Sequence, residues 1–337
     1  MKLVSYKTEE MEHLGIYLSG KIYNLNSLNH VIPDNMNEFL RGGEALMDAA
    51  HAVYNDLVSG KIIAKQEIFF ELLAPVPHPT SCRDAYAFKQ HVATARKNRN
   101  APMVTEFDEF PVFYFANHNS IVGTGEVKVM PDHLQQLDFE LEVAVVLNKK
   151  GRNIKASDAD DYIAGYMIMN DFSARTLQLE EMKLNLGPAK GKDFATALGP
   201  WLVTPNELEP YRVFTKEGHT GNSYQLGMKC RVNGKEVSSG NLESMDWTFA
   251  EIIERCAYGV DVLPGDVIGS GTVGTGCFLE LNGSAILEDP NFTPQWLQIG
   301  DIIELEITGL GVLSNIIVAE ETDFSILALK KNTNVVA

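Results

Sequence analysis

The sequence predicts a strand-rich α+β fold, and three observations carry the prediction. Strand-like runs dominate the second and larger part of the chain. Two hairpin cues, Asn233-Gly234 and Gly309-Leu310-Gly311, support antiparallel pairing. Helical segments do not alternate regularly with the strands, and no repeat or low-complexity stretch is present, so a mixed sheet is favoured over a doubly wound one.

In chain order, Leu3 to Lys7, Leu14 to Leu18 and Lys21 to Asn24 read as short strands joined through Gly20. Asn35 to Leu57 then repeats apolar residues at helical spacing and stops at Gly60. Pro75, Pro77 and Pro79 stand at alternate positions, which opposes both helix and sheet and places a boundary between a small N-terminal β-plus-helix domain, 1–74, and a larger domain, 75–337. In the larger domain the patterns predict helices near 83–98, 157–164, 173–184 and 247–257. Strands are predicted at 122–129, 138–147, 166–170, 198–204, 226–232, 266–270, 277–283, 302–308 and 312–318.

Composition narrows the class of function. Of 337 residues, 45% are hydrophobic, enough for one large core with a small appended domain. Asp and Glu number 45 against 28 Lys and Arg, and the net charge of −17 repels nucleic acid and anionic membrane alike. Cys82, Cys230, Cys256 and Cys277 are too dispersed for a metal knuckle or redox pair and read as buried free thiols of a reducing compartment, the cytoplasm. The start Met1 to Tyr6 has no signal-peptide character, and no apolar run approaches a membrane span.

The strongest chemical signal is Leu137-Asp138-Phe139-Glu140-Leu141-Glu142-Val143. Alternate residues of a strand share a face, so Asp138, Glu140 and Glu142 are expected together while Phe139, Leu141 and Val143 enter the core. On a wet face solvent screens their repulsion; in a cleft they need a cation, and an oxygen cluster suits Mg²⁺, Ca²⁺ or Mn²⁺ better than Zn²⁺. Asp84 and His91, seven apart on a predicted helix, return to nearly one azimuth and can point into one site, or serve as a helix-start residue and a surface histidine. Asp171 ends the predicted strand Tyr166 to Asp171, where it either joins Glu140 and Glu142 or closes a turn, and Arg175 and Gln178 share a face of the helix that follows. Lys190 and Lys192 occupy a glycine-flanked loop, from which a lysine could stabilise an oxyanion or enolate, or simply face solvent. The formal GxGxxG of Gly269 to Gly274 is rejected as a dinucleotide fingerprint because Cys277 onward reads as a strand; the glycines instead let backbone approach a ligand near Thr272 and Glu280.

Together these segments resemble the fumarylacetoacetate hydrolase family from about residue 82 to 318. The resemblance is carried by Arg83-Asp84-x-Tyr86-x-Phe88-x-x-His91, Asp138-Phe139-Glu140-Leu141-Glu142, Gly165-Tyr166-x-x-x-Asn170-Asp171-x-Ser173-Ala174-Arg175-x-x-Gln178, Gly191-Lys192-x-Phe194 with Gly199-Pro200-Trp201, and Gly269-Ser270-Gly271-Thr272. It implies a mixed β-sandwich roll behind a small N-terminal β domain, and a homodimer. Carried over by position, it makes Asp84, Glu140, Glu142 and Asp171 the ligands of one Mg²⁺ or Ca²⁺, with Mn²⁺ as a further candidate. It makes His91 a general base, Glu280 its acidic partner, and Arg175, Gln178 and Lys192 the groups around the reacting oxygen. Tyr86, Tyr114 and Thr272 would contact the distal carboxylate of the substrate, with Arg96 and Arg99 as candidates for its arginine, although the run Arg96 to Asn100 also reads as a solvated face.

The activity implied is metal-dependent hydrolysis of a carbon–carbon bond in a 1,3-diketone acid: fumarylacetoacetate to fumarate and acetoacetate, in tyrosine and phenylalanine catabolism, or a related acylpyruvate. The competing expectation is a β-keto acid (oxaloacetate-type) decarboxylase or isomerase on the same scaffold, because enolate stabilisation serves both. A non-catalytic cation-stabilised binding protein is the competitor from another class. The partner in every case is a small molecule, with no nucleic acid and no membrane.

Overall fold

The computed structural model describes residues 1–9, 11–68 and 70–331. Two sheets organise the chain, and the α+β, β-rich class expected from the sequence is the class found. The larger sheet runs, from edge to edge, Lys21–Asn24, Met11–Leu18, Lys2–Thr8, Thr196–Val203, Ile163–Asp171, Leu141–Leu147, Asp266–Gly269, Ser81–Ala85 and Phe113–Ala116. Most of its pairings are antiparallel, but Ser81–Ala85 lies parallel to Asp266–Gly269. A five-stranded sheet packs over one face in the order Lys235–Asn241, Gly227–Val232, Ile302–Ile307, Gly311–Ala319, Gly125–Val129. Both predicted hairpins are present, at Asn233-Gly234 and at the Thr308–Leu310 turn.

Strand parity explains the layers. Leu141, Val143, Val145 and Leu147 point into a core shared with Met228, Cys230, Ile303, Leu305, Leu313 and Ile317 of the smaller sheet. The intervening Ala144 and Val146 point the other way, into a second core with Met167, Met169, Leu198 and Leu202 and with Phe39, Leu40 and Val53 of the N-terminal helices. The strand is therefore buried on both faces, which is why its sequence reads as a nearly continuous apolar run.

The expected boundary near residue 75 does not interrupt the larger sheet. Lys2 and Leu3 pair with Val203 and Leu202, and Leu3, Leu14 and Ile16 lie in the same core as Met167 and Leu198.

Several predicted elements are corrected by their surroundings. The helix expected over 83–98 is a strand, Ser81–Ala85, followed by a helix, Lys89–Asn98, because Ser81 to Asp84 find a parallel partner in Asp266 to Gly269. The strand expected at 277–283 is the helix Phe278–Glu288. Its first two N–H groups, Phe278 N and Leu279 N, donate to the Asp138 carboxylate at 2.7 and 2.9 Å, an end-cap supplied from far along the chain that local pattern cannot show. The helix expected over 35–57 divides at Gly42-Gly43 into Met36–Arg41 and Gly43–Val58. That expected over 157–164 is one turn, Ala156–Ala159, with a 3-10 turn after it, and Ile163 already opens a strand.

Candidate active site

The same parity that builds the cores delivers the acidic residues to one place. Glu142 stands two before Ala144, Asp171 two after Met169 and Asp84 two after Cys82, so all three point to the face of the second core at one end of the larger sheet. The strand directions agree: Leu141–Leu147 begins there, while Ile163–Asp171, Asp266–Gly269 and Ser81–Ala85 end there. Gly269 lies between; a Cβ on it would stand 2.4 Å from Asp84 Oδ1, so only glycine leaves room for that carboxylate.

Glu140 completes the group. Its N–H donates to Asn170 Oδ1 at 2.9 Å, which holds the irregular step between Leu137–Asp138 and Leu141–Leu147. Oxygens of Asp84, Glu140, Glu142 and Asp171 lie within 4.8 Å of one another, and all four residues are buried. Asp138 is the exception to the expected shared face. The strand breaks after it, and its carboxylate accepts from Arg175 Nε at 2.8 Å and from the N–H groups of Phe139, Phe278 and Leu279.

Two cations touch the group. Lys192 Nζ donates to Glu140 and, at 2.6 Å, to Asp171; Arg175 Nη2 donates to Glu140 Oε1 at 2.8 Å, and its Nη1 to Gln178 Oε1 at 2.9 Å. Burial works against the Glu140 carboxylate, but Lys192 and Arg175 outweigh it and hold its pKa at about 2. Asp84 and Glu142 have no such partners. Burial, with the charge of Asp171, pushes Asp84 up to about 7, and burial, with Asp84, carries Glu142 well above the carboxylate range. Glu142 Oε2 and Asp171 Oδ1 are buried without a hydrogen-bond partner among the described residues. An all-oxygen donor set with orphaned lone pairs and an excess of negative charge fits a hard divalent cation.

Beside the carboxylates, His91 Nδ1 and Glu280 Oε2 lie 2.6 Å apart, both buried. They come from two facing helices, Lys89–Asn98 and Phe278–Glu288. Asp84 and His91 therefore do not share a helical azimuth, as the sequence had suggested, and Glu280 is not on a strand. His91 lies close enough to Glu140 to act on its carboxylate. Tyr86 places its ring edge-on to His91, Tyr114 Oη donates to Asp171, and Thr272 Oγ1 donates to Glu142 at 3.2 Å. Arg96 and Arg99 make backbone hydrogen bonds to Pro102 O and Ala95 O, and among the described residues no hydrogen bond ties either to the carboxylates. Tyr114 and Lys192 also line a cavity of about 210 Å³ with Asn117, His118 and Asp193.

Sequence reasoning missed Glu181. Its carboxylate accepts the N–H groups of Ala189, Lys190 and Gly191 and fixes the loop that delivers Lys192. The GxGxxG segment does connect a strand to a helix, so the stated reason for rejecting it fails. The rejection stands on topology: Asp266–Gly269 runs antiparallel to Leu141–Leu147, and after its helix the chain crosses to the smaller sheet rather than closing a βαβ unit.

Residues 80–318 match the model of the fumarylacetoacetate (FAA) hydrolase C-terminal domain. The chain belongs to the fumarylacetoacetate hydrolase family. It is 31% identical over 322 residues to "Oxaloacetate tautomerase FAHD2A, mitochondrial" of Homo sapiens, a match covering 94% of this chain and 92% of that protein. Its fold is shared with the fumarylacetoacetate hydrolase of Exiguobacterium antarcticum (TM-score 0.69, 23% identity, 95% and 100% coverage). It is shared equally with maleylpyruvate hydrolase of Sphingobium sp. SYK-6, solved with manganese(II) and pyruvate (TM-score 0.67, 19% identity, 95% and 100% coverage). Four free buried cysteines agree with the reading of Cys82, Cys230, Cys256 and Cys277 as thiols. Among the described residues no helix is long and apolar enough to cross a membrane.

Proposed function

We propose that this chain is a divalent-cation-dependent enzyme that enolises a short β-keto acid, with the keto–enol tautomerisation of oxaloacetate as its reaction. The observation that carries the proposal is the His91–Glu280 pair set beside four converging carboxylates; the human tautomerase, similar over nearly its whole length, supplies the substrate class. Asp84, Glu140, Glu142 and Asp171 would hold the cation, Mg²⁺ or Ca²⁺ with Mn²⁺ as a further candidate. When bound, the cation supplies positive charge that lowers the cost of a negative oxygen on the substrate.

The remaining chemistry belongs to the chain. Glu280 accepts the Nδ1 hydrogen of His91, which leaves the lone pair on Nε2 free to take a proton from the carbon between the two carbonyl groups and to return one. Lys192, held by Asp171, and Arg175, held by Asp138 and Glu140, present fixed donors to the negative charge that develops. In this proposal Tyr86, Tyr114 and Thr272 would contact the substrate's distal carboxylate, with Arg96 and Arg99 as the candidates for its arginine. The homodimer and the cytoplasmic residence implied earlier remain parts of this proposal.

A second reading rests on the same pair. A histidine backed by a carboxylate is also equipped to activate water, which favours hydrolysis of fumarylacetoacetate or an acylpyruvate.

The test follows the ultraviolet absorbance of enol-oxaloacetate with purified protein and Mg²⁺. Faster loss of the enol band with oxaloacetate retained, abolished by chelation, is the expected result. Formation of pyruvate would move the assignment to a decarboxylase. Loss of a diketone band with acid products would move it to the hydrolase, and inertness toward all these substrates would sink the proposal.

A further inference from the structure

A second group of metal-ligating side chains lies against the first and differs from it in chemistry. His91, Cys277 and Glu280 present ligand atoms within 4.8 Å of one another, all buried. Cys277 is the residue just before the helix Phe278–Glu288, and Glu280 sits in the first turn of that helix. Cys277 is in extended backbone and Glu280 is helical, yet the ligand atoms of both converge on His91 of the helix Lys89–Asn98. The two helices are held close: Asn98 Nδ2 donates to Glu280 O at 2.9 Å, and a Cβ on Gly283 would stand 2.4 Å from Asn98 Nδ2.

We propose that His91, Cys277 and Glu280 form an inhibitory site for a borderline-soft divalent cation, with Zn²⁺ as the ligand. The three donors are the kinds that bind zinc at about 2.0–2.3 Å, and three protein ligands with an open fourth position is a recurrent zinc geometry. A separation of at most 4.8 Å needs only a small inward movement of Cys277, together with opening of the 2.6 Å His91–Glu280 contact, to reach tetrahedral spacing. The neighbouring carboxylates offer oxygen alone and favour Mg²⁺, Ca²⁺ or Mn²⁺, whereas a thiolate and an imidazole favour zinc. The chain thus sorts cations by softness between two adjoining sites. As the zinc–sulfur bond forms, the thiol proton leaves to solvent. Zinc there occupies the histidine and its carboxylate partner together. Inhibition therefore rests on the proposed role of His91, while binding does not.

Cobalt(II) is the probe for binding, because thiolate coordination gives a near-ultraviolet charge-transfer band that carboxylate coordination does not. With the full chain saturated in Mg²⁺, added Co²⁺ should produce the band, and Cys277→Ser should abolish it; Cys277→Ala serves if the serine variant does not fold. No band in the native chain, or the same band in a cysteine variant, overturns the site. For inhibition, the Zn²⁺ concentration that halves activity should rise roughly tenfold or more in Cys277→Ser, the scale on which losing a ligand or its support weakens a metal site. Excess Mg²⁺ should not relieve inhibition of the native chain; relief would place zinc at the carboxylates and overturn the proposal. A cobalt band without inhibition would uphold the site and remove His91 from the chemistry, which separates the two failures.

Discussion

In the proposed reaction the chemistry turns on His91, which is held at one nitrogen by Glu280 and faced by the ring edge of Tyr86. Since it is not one of the clustered carboxylates, His91→Ala should lower turnover by roughly 10²-fold or more while cation affinity stays near that of the native chain. Steady-state kinetics beside cation titration by calorimetry would check this, and undiminished turnover would remove the assignment. A different histidine bears on stability. His133 Nδ1 accepts Met130 N–H at 3.1 Å and the ring stacks on Phe194 at 4.0 Å, an arrangement that requires a neutral imidazole. Burial, aided by the charge of Lys190, lowers its pKa from 6.5 to about 4. Between those values the unfolded chain binds the proton and the folded chain does not, so stability is complete above pH 6.5 and falls as pH drops toward 4. Denaturant unfolding at several pH values should show this acid slope reduced in His133→Gln, at a cost of about 1 kcal/mol at neutral pH.

At the scale of elements, positions of side chains depend on supports elsewhere in the chain. The helix Arg175–Met182 presents Arg175 and Gln178 at its start and Glu181 one turn later, where that carboxylate gathers three N–H groups of the 189–191 loop. Glu181→Ala should loosen the loop and misplace Lys192, lowering turnover by roughly tenfold, the order expected when a supporting contact to a functional group is lost, with little change in melting temperature. Kinetics paired with a thermal melt would distinguish this from general destabilisation, in which both would fall together. Asp138 shows the same dependence in a residue that sequence spacing had grouped with Glu140 and Glu142. The strand breaks after it, and its carboxylate instead joins Arg175 to the start of the helix that carries Glu280.

For the whole molecule, the sheet makes the N-terminal segment part of one structure. Removing residues 1–74 would strip Leu3, Leu14, Ile16, Phe39 and Leu40 from a core shared with Met167, Met169, Leu198 and Leu202. The fragment 75–337 should therefore be poorly soluble or unfolded, since a large exposed apolar face drives aggregation; a soluble, cooperatively melting fragment would establish an independent domain instead. The proposed cation site would couple stability to the carboxylate group in the same global sense. On the proposed function the folded chain binds the cation and the unfolded chain does not, so a concentration of 100 times the dissociation constant should add about 2.7 kcal/mol and raise the melting temperature. Uptake must also displace the protons that burial places on Asp84 and Glu142, so affinity should strengthen as pH rises through about 7. Calorimetry in two buffers of different ionisation enthalpy would detect the released protons, and a melting temperature indifferent to Mg²⁺, Ca²⁺ and Mn²⁺ would argue against the site.

Much of this architecture was legible in the sequence because its causes are local. The apolar run Leu141 to Leu147, the Asn233-Gly234 turn and the apolar stretch Ile163 to Met169 depend on residues close in the chain, and the ordered motifs from Arg83 to Thr272 named the family. What remained illegible depends on partners distant in the chain. Ser81 to Ala85 is a strand because Asp266 to Gly269 lies beside it, and Phe278 to Glu288 is a helix whose first amides find the carboxylate of Asp138, about 140 residues earlier. By itself the sequence determined the class of fold, the acidic character of the site and the residue types available for its chemistry. Only the tertiary structure decided which carboxylates converge, that Asp138 supports the site from outside the cluster, and that Cys277 stands beside His91 and Glu280. Long-range strand pairing and burial, not spacing along the chain, determine which side chains meet.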